Sequence, residues 1–314
     1  MRGKLRAGDL VEVKSAHEIL QTLDKDGTSE RLPFMPEMIP FCGKRFHVSL
    51  RAVKTCWYGH GSGMRRFPNE DVVLLEGLRC SGADHDGCQK ACNIFWRETW
   101  LRKVENPETP VIPANGVERL RARLTTIIGP NKYFCQSSEI LNATVELSKR
   151  ERFSKCVDEV WSRNAGTLEM LRRIAVWTFW KIRRALLGPY AKGENHVTPA
   201  ESLNLRAGEF VEIKPLDSIR KTLDQKAHNR GLSFTPSMSL LCGELRKVER
   251  KIERIIVDGT GEMRHLRNTV FLQGELCECS CVAFGGCPRG EFSYWREIWL
   301  KRTDATTNTV ATNV

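Results

Sequence analysis

Two stretches of this chain carry nearly the same text. Residues 6–14 read RAGDLVEVK and residues 206–214 read RAGEFVEIK, an offset of 200 positions. At the same offset Thr22-Leu23-Asp24 returns as Thr222-Leu223-Asp224, and Leu32, Phe34, Pro36 and Met38 return as Leu232, Phe234, Pro236 and Met238. Cys42-Gly43 returns as Cys242-Gly243, and after small length changes Trp96-Arg97-Glu98-x-Trp100-Leu101 returns as Trp295-Arg296-Glu297-x-Trp299-Leu300. So many ordered matches require one unit that has been doubled. The expected organisation is repeat 1 over residues 1–104, linkers and a helical connector over 105–205, repeat 2 over 206–303, and a disordered polar tail over 304–314.

Within repeat 1, Leu10 to Lys14 alternates and is rich in Val, which predicts a strand. Ser15 caps a short helix over 16–23, and residues 24–43, with three prolines, form an ordered loop with short helical turns. Residues 44–57 predict a second strand, and Gly59, Gly61 and Gly63 mark a hairpin turn matched by Asp258-Gly259-Thr260-Gly261. Val72–Leu75 and Phe95–Val104 complete the set as two further strands. The middle predicts helices over 117–128, from a Ser148 capping box to about Arg163, and over 167–187. The fold class is therefore α+β, with two small β-barrels flanking a helical middle.

Cysteine carries the strongest chemical signal. The chain has 12, and 10 fall in the repeats: Cys42, Cys56, Cys80, Cys88 and Cys92, then Cys242, Cys277, Cys279, Cys281 and Cys287. Thiolates with imidazole make structural zinc sites, so the candidate ligands are Cys42, Cys80, His85, Cys88 and Cys92, with Cys242, Cys277, Cys279, Cys281 and Cys287. Cys42, Cys80 and Cys88 align with Cys242, Cys277 and Cys287. His85 aligns with Phe284 and Cys92 with Glu291, so a fourth ligand would differ between copies. The spacing is not a Cys-x-x-Cys knuckle, and buried inert thiols are the competing reading.

Catalytic signatures are missing: no P-loop, dinucleotide glycine motif, HExxH or GxSxG is present. The two tryptophans of the repeated Trp-Arg-Glu-x-Trp fit either a stacking platform or bulky closure of the barrel. In the same motif the adjacent Arg and Glu could pair with each other.

Lys plus Arg is 49 against 38 Asp plus Glu, a formal charge of +11 that favours an anionic partner. Residues 117–188 hold 14 basic against 7 acidic residues, which counts against phosphate recognition on the barrel faces. The helix over 167–187 mixes Trp177, Phe179 and Trp180 with arginines; burial between domains or contact with a membrane surface would explain it, with nucleic acid a less favoured partner. Neither a secretory signal nor a membrane span is read, so a cytoplasmic, reducing location is expected.

The Gly-Asp-x-Val-x-Val opening at Gly8–Val13 resembles the first strand of SH3-like barrels, the group of KOW and Tudor-type modules. LPFMPEM (32–38), Cys42-Gly43, Tyr133-Phe134-Cys135-Gln136 and Tyr294–Leu300 together resemble a family of uncharacterised microbial proteins with a duplicated domain of about 100 residues. No activity follows from that resemblance. The expected function is a non-enzymatic binding or scaffold protein with tandem, zinc-stabilised barrels. The alternatives are an accessory enzyme or factor of a specialised-metabolite pathway with a site between the repeats, and a nucleic-acid binder.

Overall fold

The computed structural model describes residues 4–57, 63–105, 115–188, 190–277 and 287–303. The Gly59 and Gly61 turn, most of the proline-rich linker, Pro189, Cys279, Cys281 and the polar tail lie outside the described residues.

The architecture is mixed α+β, and every strand pairing recorded among the described residues is antiparallel. In the first copy five strands form one sheet in the order Asn93–Arg97, Val72–Arg79, Arg45–Arg51, Leu10–Val13, Leu101–Lys103. Its two edge strands are consecutive in sequence, separated only by the 3-10 turn Glu98–Trp100. A flat five-stranded sheet would set its edges roughly 19 Å apart, given about 4.8 Å per strand. The connecting residues reach only about 10–14 Å, so the sheet must curl into a half-barrel. The single strand expected over Phe95–Val104 is thus two strands on opposite edges. Continuous alternation cannot signal that switch, because the turn needs no glycine or proline.

The second copy repeats the arrangement with Trp295–Arg296, Thr269–Leu272, Leu245–Lys251, Phe210–Ile213 and Leu300–Arg302. Registers correspond as well: Val11 faces Phe46 and Lys103, and Val211 faces Arg246 and Arg302. A bulge falls between Val48 and Leu50 and again between Val248 and Arg250. The doubling read from sequence is therefore a doubling of fold.

Both copies close their cores with the same aromatic cluster. Trp96, Trp100, Trp295 and Trp299 are fully buried. Phe34 meets Trp96 and Trp100 edge-on at 6.2 and 5.2 Å, and Phe234 meets Trp295 and Trp299 at 6.3 and 5.2 Å. Each second indole donates to a threonine hydroxyl, Thr22 or Thr222, at 3.1 Å. Rings enclosed in this way present no stacking platform, and closure of the sheet accounts for them. Nor do Arg97 and Glu98 pair with each other: Arg97 binds Asp71, while Glu98 accepts from the Leu5 amide and from Arg51.

Helix starts follow their caps. Ser15 and Ser148 form capping boxes with Glu18 and Glu151, opening helices Ala16–Leu20 and Lys149–Trp161. The longest helix is Thr167–Leu187, as its periodicity predicts. The expected helix over 117–128 stops at Arg123, because Ile127–Gly129 instead pairs with Lys132–Tyr133 as a hairpin. No described helix is long and apolar enough to cross a membrane.

Contacts divide the chain into two units that do not follow the repeat boundaries. The first comprises Met1–Trp177, Arg254–Arg264 and Glu278–Glu291; the second comprises Thr178–Glu253, His265–Cys277 and Phe292–Val314. Leu120, Cys135, Ile140 and Ala143 of the middle segment, with Ile256 and Met263, share the core of the first unit. Gly261 (φ +72°) lets the hairpin turn lie against the middle segment, since a Cβ there would meet the Tyr133 carbonyl and the Ser138 side chain.

Candidate functional site

In the first unit, strand Val72–Arg79 delivers Cys80 into a loop that returns at Cys92, where the Cys80 amide donates to the Cys92 carbonyl at 2.8 Å. The loop is tightly wound. Gly82 (φ +69°) can hold only glycine, because a Cβ would overlap the Cys88 carbonyl. Amides of His85 and Gly87 both donate to the Gly82 carbonyl, at 3.1 and 3.0 Å.

Cys80, Cys88, Cys92 and Cys135 line one cavity of about 30 Å³ together with His85 and Lys90. Cys135 comes from the middle segment and was not among the ligands expected from sequence. Only its place in Tyr133-Phe134-Cys135-Gln136 singled it out. Burial pushes the Cys92 thiol up to about 12 and that of Cys135 up to about 11. At Cys80 burial raises the pKa, and Glu37, Cys92 and Cys135 add to the rise. Backbone amides work in the other direction. Gly82 lowers the pKa of Cys80, Ser138 and Ser137 lower that of Cys135, and the Ile256 amide donates to Cys88 Sγ at 3.4 Å. Amides turned toward sulfur favour thiolate, the form that binds metal.

His85 has another role. Its Nδ1 lies 2.6 Å from Glu37 Oε1 and its Nε2 lies 3.0 Å from the Phe134 carbonyl, so both nitrogens face acceptors. That pattern requires imidazolium, which offers no lone pair to a metal. Burial alone would lower the His85 pKa, but Glu37 raises it, and the carboxyl of Glu37 is lowered in turn.

The other expected ligands are dispersed. Cys42 sits in the apolar core, its thiol raised to about 11 by burial. Cys242 packs against the core of the second unit, and Cys277 belongs to that unit. Cys287 belongs to the first unit, where its Sγ lies 3.3 Å from Cys56 Sγ. Among the described residues no group of three or more His, Cys, Asp or Glu side chains is arranged as a metal cage.

Beside the thiols lies a buried ion cluster drawn from segments too far apart in the chain for any local pattern to link them. Lys90 pairs with Asp258 and, at 3.1 Å, with Glu291; Arg289 pairs with Asp258 at 2.8 Å and with Glu291. Ser137 Oγ lies 3.2 Å from Lys90 Nζ and also bonds Asp258. A serine beside a lysine invites a hydrolytic reading, but the lysine cannot serve as base. Burial would lower its pKa, yet Asp258 and Glu291 hold it well above the ordinary value. The adjoining cavity, of about 10 Å³, has no room for a substrate. Two cations and two anions close on one another here, joining segments far apart in sequence. Compared with known protein families, curated proteins and solved structures, the chain matches none.

Proposed function

We propose that the protein is a non-catalytic binding or scaffold protein built on two SH3-like barrel modules, the first held by zinc on Cys80, Cys88, Cys92 and Cys135. The strand order, with a 3-10 turn joining the two edge strands, supports the SH3-like assignment. The zinc reading rests on three thiols of the 80–92 loop and one of the middle segment lining one cavity, with amides directed at the sulfurs of Cys80, Cys88 and Cys135. Cys135 takes the place that the sequence offered to His85. Because burial raises the pKa of Cys80, Cys92 and Cys135, zinc would displace protons and bind more tightly as pH rises.

Metal analysis of the purified full chain tests this. About one zinc per chain is expected, lost in Cys135→Ser and kept in Cys42→Ser. A folded chain without metal, or Cys135→Ser with its zinc intact, would end the assignment.

A second reading concerns the helix Thr167–Leu187 and an anionic membrane surface. Leu168, Leu171, Phe179, Ile182 and Leu186 recur on one face and are 82, 61, 61, 55 and 76% exposed. The helix carries five basic residues against Glu169 alone, a composition that favours the interface of anionic lipid. Sedimentation with phosphatidylserine vesicles should carry the chain down, and Phe179→Glu with Ile182→Glu should abolish it. Equal sedimentation with neutral vesicles would refute the reading.

A further inference from the structure

In the first copy, the Arg97 side chain is 1% exposed and its charge is met by acids: Nη1 reaches Asp71 Oδ1 and Oδ2 at 2.8 and 2.9 Å and Glu30 Oε2 at 3.2 Å. The equivalent arginine of the second copy is Arg296, fixed by register: Val72 faces Arg97, and Thr269 faces Arg296. The Glu98 amide donates to the Asp71 carbonyl and the Glu297 amide to that of Asn268, so Asp71 corresponds to Asn268. Glu30 corresponds, at the offset of 200, to Arg230. The second copy has kept the arginine, lost one carboxylate and replaced the other by a cation.

Arg296 consequently meets only neutral acceptors: the Arg267 carbonyl and Thr269 Oγ1 at 2.9 Å each, and the Arg230 carbonyl at 3.1 Å. Its buried Nε, like that of Arg97, has no hydrogen-bond partner, so the two arginines differ in the acids around them. Burial, and then Arg230, press its pKa downward, which is the mark of a cation lacking its counter-charge. No ion pair of Arg230, Arg267 or Arg296 occurs among the described residues.

The space the acids would fill is open. A cavity of about 160 Å³ is bounded by Arg230, Arg267, Arg296, Asn229, Asn268 and Glu201, among others. Glu201, its one acid, is engaged by Lys214 at 3.1 Å. A cavity near 150 Å³ admits a molecule the size of benzene, so a phosphate group enters with room for water or a small substituent.

We infer that this cavity of the second unit is a binding site for a phosphate group, free or on a small phosphomonoester, whose oxygens replace the two carboxylates that serve Arg97. Three arginines against one already-paired acid in the lining favour a dianion over a monoanion, and planar guanidinium forks suit bidentate contact with phosphate oxygens.

Titration calorimetry on the full chain, at fixed ionic strength, tests the site with inorganic phosphate and with glycerol phosphate; acetate serves as the monoanionic control. Saturable binding of phosphate above acetate is expected, and the tighter of the two phosphate probes identifies the source. Asn268→Asp, which restores the carboxylate of the first copy, should weaken phosphate binding at least about tenfold while the chain melts no lower. Asp71→Asn should leave it unchanged. Phosphate binding no better than acetate, or Asn268→Asp binding like the unaltered chain, overturns the proposal. Arg230→Glu gives an independent reading with the same expected loss.

Discussion

The two copies agree where they are dry and differ where they are charged. Phe34, Trp96, Trp100 and the Thr22 hydroxyl have exact counterparts in Phe234, Trp295, Trp299 and Thr222, with nearly equal ring separations. The glutamate after each arginine also persists, half-buried in the first copy and buried in the second: Glu98 accepts from the Leu5 amide, and Glu297 from those of Leu203, Asn204 and Leu205. Around Arg97 and Arg296 that agreement ends, since acids surround the first and an asparagine and arginines the second. A curled sheet of this size needs its indoles for closure, so both copies keep them. Its rim carries no such obligation and is free to acquire ligands.

The heaviest test of that division lies in the ion cluster of the first unit. Asp258→Ala leaves Lys90 and Arg289 sharing Glu291 alone, and removing one partner from a buried ion cluster costs about 3–5 kcal/mol. Denaturant unfolding of that unit should record a loss of this order. A loss below about 1 kcal/mol would mean that water reaches the cluster and pairs its charges.

Next in size is the arginine pair itself. Arg97→Met strands the buried side of Asp71 and should cost about 2 kcal/mol, the worth of hydrogen bonds to charged groups. Arg296→Met removes a cation with no acid beside it and should stay within about 1 kcal/mol of neutral in phosphate-free buffer. Equal losses in the two variants would erase the distinction between the copies.

The doubled fold was legible because buried aromatics and the Arg-Ala-Gly turn before the first strand leave a pattern that survives divergence. The capping boxes were legible too, since Ser15 with Glu18 and Ser148 with Glu151 form from residues three apart. What escaped notice depends on contacts across long separations. Cys135 joins Cys80 and Cys88 only through folding, and Asp258 reaches Lys90 across 168 positions. His85 looked like a metal ligand because its spacing from cysteine is local, whereas its actual partner, Glu37, is 48 residues away. The 3-10 turn between the tryptophans gave no signal because it takes ordinary residues.

That His85–Glu37 pair sets a pH window. The histidine pKa is raised, so its contribution is fully present below the unfolded value of about 6.5 and fades as pH climbs through the folded one. The glutamate pKa is lowered, so its contribution is present above the unfolded value of about 4.5 and fades as pH falls through the folded one. His85→Gln should therefore flatten the decline of the first unit's stability that sets in above about pH 6.5. An unchanged slope would show that His85 is neutral in the fold.

The smallest effect compares the two first helices. Ser15 caps Ala16–Leu20 through the Glu18 amide, while Pro215, at the same place before Leu216–Arg220, caps with no side chain. Losing a serine cap costs about 1 kcal/mol. Ser15→Ala should lower the first unit's stability by that amount. Pro215→Ala should cost less, because no cap bond exists to lose. Proline does fix its own φ, and at −56° Pro215 already sits where its ring prefers. Its replacement therefore acts through the unfolded chain rather than through a helix end. If thermal unfolding found Pro215→Ala the more damaging of the two, the second copy's helix would owe its start to backbone restriction where the first owes it to a hydrogen bond. The same fold would then be reached by different local means.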